Sequence, residues 1–195
     1  RDKGIDQLVH VYREVLEEYP ETYLLLVGDF EGHDPVSEEV AAWLFDHPQV
    51  VVSAFASDPR PYYVLMDVLA FPSRREGFPN VPLEAAAMEV PSVAFRATGV
   101  VDAVEHDVTG TLVPLGDVEA FTSAVLRYLR CHKLRREHGL AGRERVLRLF
   151  RKETVWQAWC DFYVELLRER GMPLPEPMSP EETRSIVAEE VTEAP

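Results

Sequence analysis

Apolar residues at Ile5, Leu8, Val9, Tyr12, Val15 and Leu16 recur at the spacing of one helix face, which predicts an amphipathic helix over residues 4–19. Residues 22–27 form an unbroken apolar run closed by Gly28-Asp29, the pattern of a fully buried parallel strand. A helix follows over 37–45, with Ser37 as cap and Glu38 and Glu39 in the first turn. The alternation continues with a strand at 50–55, a helical turn at 61–66, a strand at 67–72, an Ala-rich helix at 82–89 and strands at 92–96 and 110–113. Helices at 118–129, 134–150 and 154–170 end the pattern. Strands separated by helix-length segments imply βαβ units, hence an α/β fold with a parallel sheet and helices on both faces. A doubly wound domain normally opens on its central strand, whereas this chain opens on a helix. The first strand is therefore expected to be missing, and residue 1 is not expected to be the natural start.

Composition divides the chain. Residues 1–170 read as one Rossmann-like domain that includes the helices at 134–150 and 154–170. Residues 171–195 carry six Glu, one Arg, five of the fifteen prolines and no aromatic residue. Such a segment buries too little apolar surface to offset its ordering entropy, so it reads as a disordered acidic tail, with a short helix possible at 179–188. The formal charge of −14 argues against nucleic acid as a partner. Two cysteines, Cys131 and Cys160, fit a reducing compartment rather than a disulfide scaffold. No run approaches the roughly 18 apolar residues of a membrane span. Residues 127–152 hold ten Arg or Lys against two Glu. They read either as a solvated face with cations near helix C-termini or as a patch toward an anionic membrane surface.

Candidate chemistry lies in residues 70–91. A strand ends at Pro72, a loop with Gly77 and Pro79 follows, and a helix begins near Pro82. Ligands of open α/β sheets bind beyond the carboxyl ends of strands, and a helix N-terminus there offers free N–H groups to a phosphate. Two carboxylates, Glu76 and Glu84, have seven residues between them. A carboxylate suits a ribose diol or a pair of sugar hydroxyls, because it accepts two hydrogen bonds at once. On spacing alone, Glu84 could equally be a first-turn carboxylate serving the helix dipole, and Glu76 a solvated loop charge.

The run Glu76-Gly-Phe-Pro-Asn-Val-Pro-Leu-Glu84 resembles the Glu-x7-Glu motif of GT-B glycosyltransferases, specifically the large retaining family four. Lys3-Gly4-Ile5-Asp6, Leu26-Val27-Gly28-Asp29, Phe71-Pro72-Ser73, Thr98-Gly99, 109–114 and Asp117 resemble the family in the same order, over residues 3–167. The resemblance implies the C-terminal, donor-binding half of a GT-B enzyme, with the N-terminal domain that brings the acceptor missing. It implies that Glu84 binds the ribose of a nucleotide-sugar donor and that Glu76 touches the donor sugar as the catalytic-site residue. The backbone of Gly77, Phe78 and Pro79 would approach the sugar, that of Asn80 and Val81 the diphosphate, and Lys3 the same diphosphate. Residues 55–57 would lie near the base. It further implies retaining, hexosyl-type transfer from a UDP- or GDP-linked donor to a saccharide or lipid-linked acceptor, with no cofactor and no metal. The setting would be cell-surface polysaccharide or glycoconjugate synthesis in the cytoplasm, with peripheral contact at the inner membrane face as the alternative to a free cytoplasmic domain. Alone, such a half would bind donor weakly and transfer little.

Two departures stand out. The family's second basic residue would lie before Arg1, and Glu89 replaces the glycine that usually follows this helix, which would force a different cap. The histidines His10, His33, His47, His106, His132 and His138 show no metal-ligand spacing. Asp34 and Asp58 read as turn residues, and Cys160, among Trp156, Trp159 and Phe162, reads as core. A sugar-nucleotide epimerase of the same fold and a non-catalytic interaction module remain as alternatives.

Overall fold

The computed structural model describes residues 2–29 and 35–174. The expected helix at 179–188, His33 and Asp34 lie outside them. In chain order the elements are α1 (Ile5–Glu18), β1 (Leu24–Val27), α2 (Glu38–Asp46), β2 (Val50–Ser53), α3 (Arg60–Tyr63), β3 (Leu69–Phe71), α4 (Asn80–Ala87), β4 (Ser92–Phe95), α5 (Val100–Ala103), β5 (Gly110–Val113), α6 (Val118–Arg130), α7 (His132–Leu149) and α8 (Lys152–Glu169). One compact unit spans Arg1–Phe150 and a second spans Arg151–Pro195. The pattern of elements places α8 within a domain of residues 1–170, whereas the structure groups it with the second unit. Cys160 and the aromatic residues near it on α8 are exposed, which corrects the core assignment of Cys160.

All strand pairs are parallel, as the βαβ pattern implies, but they form two groups, β1-β2 and β3-β4-β5. The second group carries the core. Side chains of β4 alternate between its faces by the period of two along a strand. Val93 and Phe95 enter a cluster with Val11 and Val15 of α1 and with Phe121, Val125 and Tyr128 of α6. Ala94 enters the opposite cluster with Tyr63 of α3, Leu83 and Ala85 of α4, and Val100 of α5. Both faces are therefore covered, and every residue of β4 and β5 is buried. β1 differs from its expectation: Leu24, Leu25 and Leu26 are only half-buried and Val27 is exposed. Among the described residues β1 has a strand neighbour on one side only, and its apolar run lacks the flank that would complete its burial. The single turn of α5 is too short to show a helical period, and sequence reasoning missed it.

α7 explains the basic stretch. The last carbonyls of a helix have no intrahelical donor and attract cations. Arg135 donates to the carbonyls of Tyr128 and Leu129 at the end of α6, Arg143 to Ala87 at the end of α4, and Arg145 to Asp102 and Ala103 at the end of α5. Arg127 pairs with Asp107, and Arg130 with Glu18 of α1. These five arginines tie helix ends and loops together, which supports the helix-end reading of residues 127–152. His138 of α7 is buried, and its Nδ1 lies 2.7 Å from the Tyr128 hydroxyl. Burial holds its pKa below the ordinary histidine value. Among the described residues no helix is long and apolar enough to cross a membrane.

The end of α4 corrects the expectation for Glu89. The Glu89 N–H bonds the Ala86 carbonyl at 3.0 Å and the Val90 N–H bonds the Ala85 carbonyl at 2.9 Å. These are the two bonds of a Schellman cap. Glu89 adopts φ 63° to make them, so it keeps the left-handed conformation a glycine would take. A side chain costs about 1–2 kcal/mol there, and the exposed 3.7 Å approach to Arg143 returns little of it. Glu89→Gly is expected to raise the unfolding free energy in urea by about 1 kcal/mol. An unchanged or lower value would contradict this account of the cap.

Candidate functional site

The segment from Pro72 to Glu84 is built on the carboxyl end of β3, where parallel sheets expose their ligand sites. α4 begins at Asn80, two residues before the sequence reading placed it, with Pro79 as N-cap and no side-chain cap. Pro82 is the third helical residue, which the first turn tolerates because no N–H is needed there. Of the amides from N-cap to third position, which a helix leaves without internal acceptors, the two prolines have none to offer. Only Asn80 and Val81 retain N–H groups, and both residues are exposed. The start of α4 thus presents a pair of adjacent donors at the positive end of the helix dipole.

Glu84 then falls in the second turn, and the first turn of α4 contains no acidic residue. The dipole effect fades beyond the first turn, so the first-turn reading of Glu84 does not hold. Glu84 lies four residues after Asn80, on the same helix face and about 6 Å along the axis. It is exposed, and its Oε2 accepts from the hydroxyl of buried Tyr63 at 2.9 Å.

Glu76 is not a solvated loop charge. Its side chain is 14% exposed, and Oε1 accepts from Lys3 Nζ at 2.9 Å and from the buried Ser73 hydroxyl at 2.6 Å. Lys3 itself is 61% exposed, so this ion pair contributes little to stability and leaves the cation accessible. The chain reaches this loop from its beginning. The Arg74 N–H donates to the Asp2 carbonyl at 2.8 Å, and Arg75 donates to the Asp2 carboxylate at 2.8 Å. Gly4, at φ 70°, lies so close to Pro72 that a Cβ would overlap the Pro72 carbonyl. Gly99, at φ 76°, presses on Gly77 in the same way, whereas a Cβ on Gly77 would meet open space. Phe78 is exposed, and its ring lies 5.7 Å from that of Phe150.

Lys3 and Glu76 are thus in contact, Gly77 to Val81 form one continuous exposed run interrupted only by buried Pro79, and Glu84 lies one turn beyond. Residues 55–57 stand at another strand end. Phe55 is exposed, and its N–H donates to Asp29 Oδ1 at 3.3 Å, linking the segments that follow β2 and β1. Sequence reasoning missed Tyr63 and Asp2, which neither motif nor spacing singled out. Ser73 and Gly99 were noted only as neighbours of the motif. Among the described residues no three His, Cys, Asp or Glu side chains are placed to hold a metal ion.

Parallel strands whose carboxyl-end loop meets a helix N-terminus define a doubly wound ligand-binding domain. The model of the family described as glycosyl transferases group 1 matches residues 1–131, and the chain belongs to that family. It is 33% identical over 169 residues to the capsular polysaccharide biosynthesis glycosyltransferase CapM of Staphylococcus aureus, covering 87% of this chain and 44% of that protein. The chain spans less than half the length of the first curated relatives it matches. The C-terminal domain of a group 1 glycosyl transferase, LpcC of Francisella tularensis, shares the fold at a TM-score of 0.69 and 20% identity, with 77% of this chain and 81% of that one covered. The Anabaena protein HepE, solved in complex with UDP-glucose, shares it at a TM-score of 0.74 and 23% identity, with 84% and 46% covered. The architecture is that of GT-B glycosyltransferases, of which this chain covers part.

The close approach of Gly99 to Gly77 allows a controlled test. Gly116 also has a positive φ, 82°, but a Cβ there would meet nothing within 4 Å. Gly116→Ala is expected to cost about 1 kcal/mol of stability from backbone strain alone. Gly99→Ala is expected to cost more, about 2–3 kcal/mol, because the Gly77 backbone must also move. Equal losses in urea unfolding would show that the loop is not held at Gly77.

Proposed function

We propose that this domain binds the nucleotide-diphosphate-sugar donor of a glycosyl transfer reaction. The observation that carries the reading is the start of α4, where two adjacent amides and the helix dipole face the loop while Glu84 stands one turn behind. In this reading the Asn80 and Val81 N–H groups hold the diphosphate. Glu84 accepts from the ribose hydroxyls, and the backbone of Gly77, Phe78 and Pro79 passes along the sugar. Glu76 contacts the sugar itself, and Lys3 exchanges its contact with Glu76 for the diphosphate. Charge grows on the diphosphate as it leaves, so preorganised donors and a cation stabilise the transition state more than the ground state. No divalent metal is needed for that role.

The anomeric carbon's bond to the diphosphate breaks while the acceptor oxygen bonds from the same face, its proton passing to the leaving diphosphate. The anomeric configuration is retained. The acceptor is a saccharide or lipid-linked saccharide held by a second domain, and the sugar moved is a hexose. Similarity to CapM supports a setting in cell-surface polysaccharide or glycoconjugate synthesis, with the domain on the cytoplasmic side, where nucleotide sugars are available. Similarity to HepE, crystallised with UDP-glucose, supports UDP as a candidate carrier.

Calorimetric titration of the chain with UDP, GDP and ADP, with and without EDTA, tests the reading. Saturable binding of one nucleotide, unchanged by EDTA, is the expected result. Glu84→Ala is expected to weaken it by about 1–3 kcal/mol, the range for a lost charged hydrogen bond. A folded chain that binds none of the three, or a Glu84→Ala variant that binds as the parent does, would overturn it. The first result would leave the fold to a non-catalytic role, and the second would remove Glu84 from the site.

A further inference from the structure

The reading above leaves Tyr63 without a role, although its position is unusual. Its ring is 5% exposed and packs in the same apolar cluster as Phe71, Leu83 and Ala85. Its hydroxyl emerges from that cluster beside an exposed carboxylate, 2.9 Å from Glu84 Oε2 and 3.5 Å from the Val81 carbonyl. α3 itself is well fixed. Asp58 accepts from the Arg60 N–H at 3.1 Å and from its guanidinium at 2.7 Å. The Tyr62 hydroxyl lies 2.8 Å from Ser53 Oγ at the end of β2.

A phenol has one proton to donate, and an ionised carboxylate can only accept. The Tyr63 proton therefore goes to Glu84, while the longer contact to Val81 is secondary. Burial, and then the hydrogen bond and charge of Glu84, raise the Tyr63 pKa above the ordinary tyrosine value, so the hydroxyl keeps its proton at neutral pH and is the donor. A solvent-exposed glutamate on a helix otherwise samples many rotamers, and fixing a free one costs up to about 1.5–2 kcal/mol. Tyr63 removes part of that freedom before any ligand arrives, leaving Oε1 to accept from a diol.

We propose that Tyr63 is a positioning residue for the ribose: it acts on the donor's sugar hydroxyls through Glu84 and sets their affinity. The inference rests on the donor-binding reading. Its mark is that the effect depends on the ribose hydroxyls, which a merely structural role would not require. Tyr63→Phe keeps the ring and removes only the hydroxyl. The parent chain and this variant are titrated with UDP, GDP and ADP. The nucleotide held most tightly is then replaced by its 2′,3′-dideoxy analogue.

The expected result is a loss of about five- to tenfold in affinity for the ribonucleotide in Tyr63→Phe, the effect of returning part of the rotamer freedom of Glu84. The dideoxy analogue is expected to bind parent and variant alike. In a Glu84→Ala background Tyr63→Phe should make no further difference, because the two act in series. Thermal melting of both variants reports folding independently. Unchanged ribonucleotide affinity in Tyr63→Phe, or equal losses for ribonucleotide and dideoxy analogue, would overturn the inference while leaving the donor reading in place. A parent chain that binds no nucleotide would overturn both.

Discussion

The segment from Pro72 to Glu89 is held by backbone contacts that glycine alone permits. Gly4 lies against the Pro72 carbonyl at its start, Gly99 against the Gly77 carbonyl in its loop, and Gly139 of α7 against the Glu89 carbonyl at its end. Each contact brings main chain to main chain, with no side chain that could swing aside. The three glycines come from distant parts of the chain, so the loop and α4 are located by the whole first unit rather than by local preference. That location gives a short helix with a modest apolar face a defined place above the sheet.

Chemistry follows from this fixed frame. A helix N-terminus is a common feature and by itself says little. Here Pro79 and Pro82 reduce its available donors to the adjacent amides of Asn80 and Val81, and neither is taken up by a capping side chain. A terminus left uncapped on an exposed loop forgoes stabilisation that a Ser, Thr or Asp at the cap would supply. The site adds two carboxylates that are each restrained by a buried hydroxyl, Glu76 by Ser73 and Glu84 by Tyr63. Restrained acceptors beside helix-start amides without a side-chain cap form a preorganised polar surface, the arrangement that suits a charged, polyhydroxylated ligand.

Much of this is legible in the chain. The alternating periods identify the parallel α/β architecture, because apolar patterning is a local property, and the candidate site is singled out by the resemblance of the Glu76–Glu84 run to a family motif rather than by spacing. The misses have physical causes. Residues 22–27 read as a fully buried strand because an apolar run does not reveal how many neighbours its strand will have, and β1 has one among the described residues. α4 begins at Asn80 rather than near Pro82, because the first turn of a helix admits proline at its third position as well as its first. Glu89 was expected to displace a cap that it adopts, because packing against Gly139 holds its backbone in place. Tyr63 was invisible: its link to Glu84 is made across 21 residues and by folding alone.

The central claim is that the two amides at the start of α4 receive the diphosphate. Amide proton and nitrogen shifts of the chain, followed by NMR as UDP, GDP or ADP is added, test it directly. The account predicts saturating changes centred on Asn80 and Val81, with Gly77 and Glu84 beside them. Saturable binding that leaves the Asn80 and Val81 amides unmoved would contradict it.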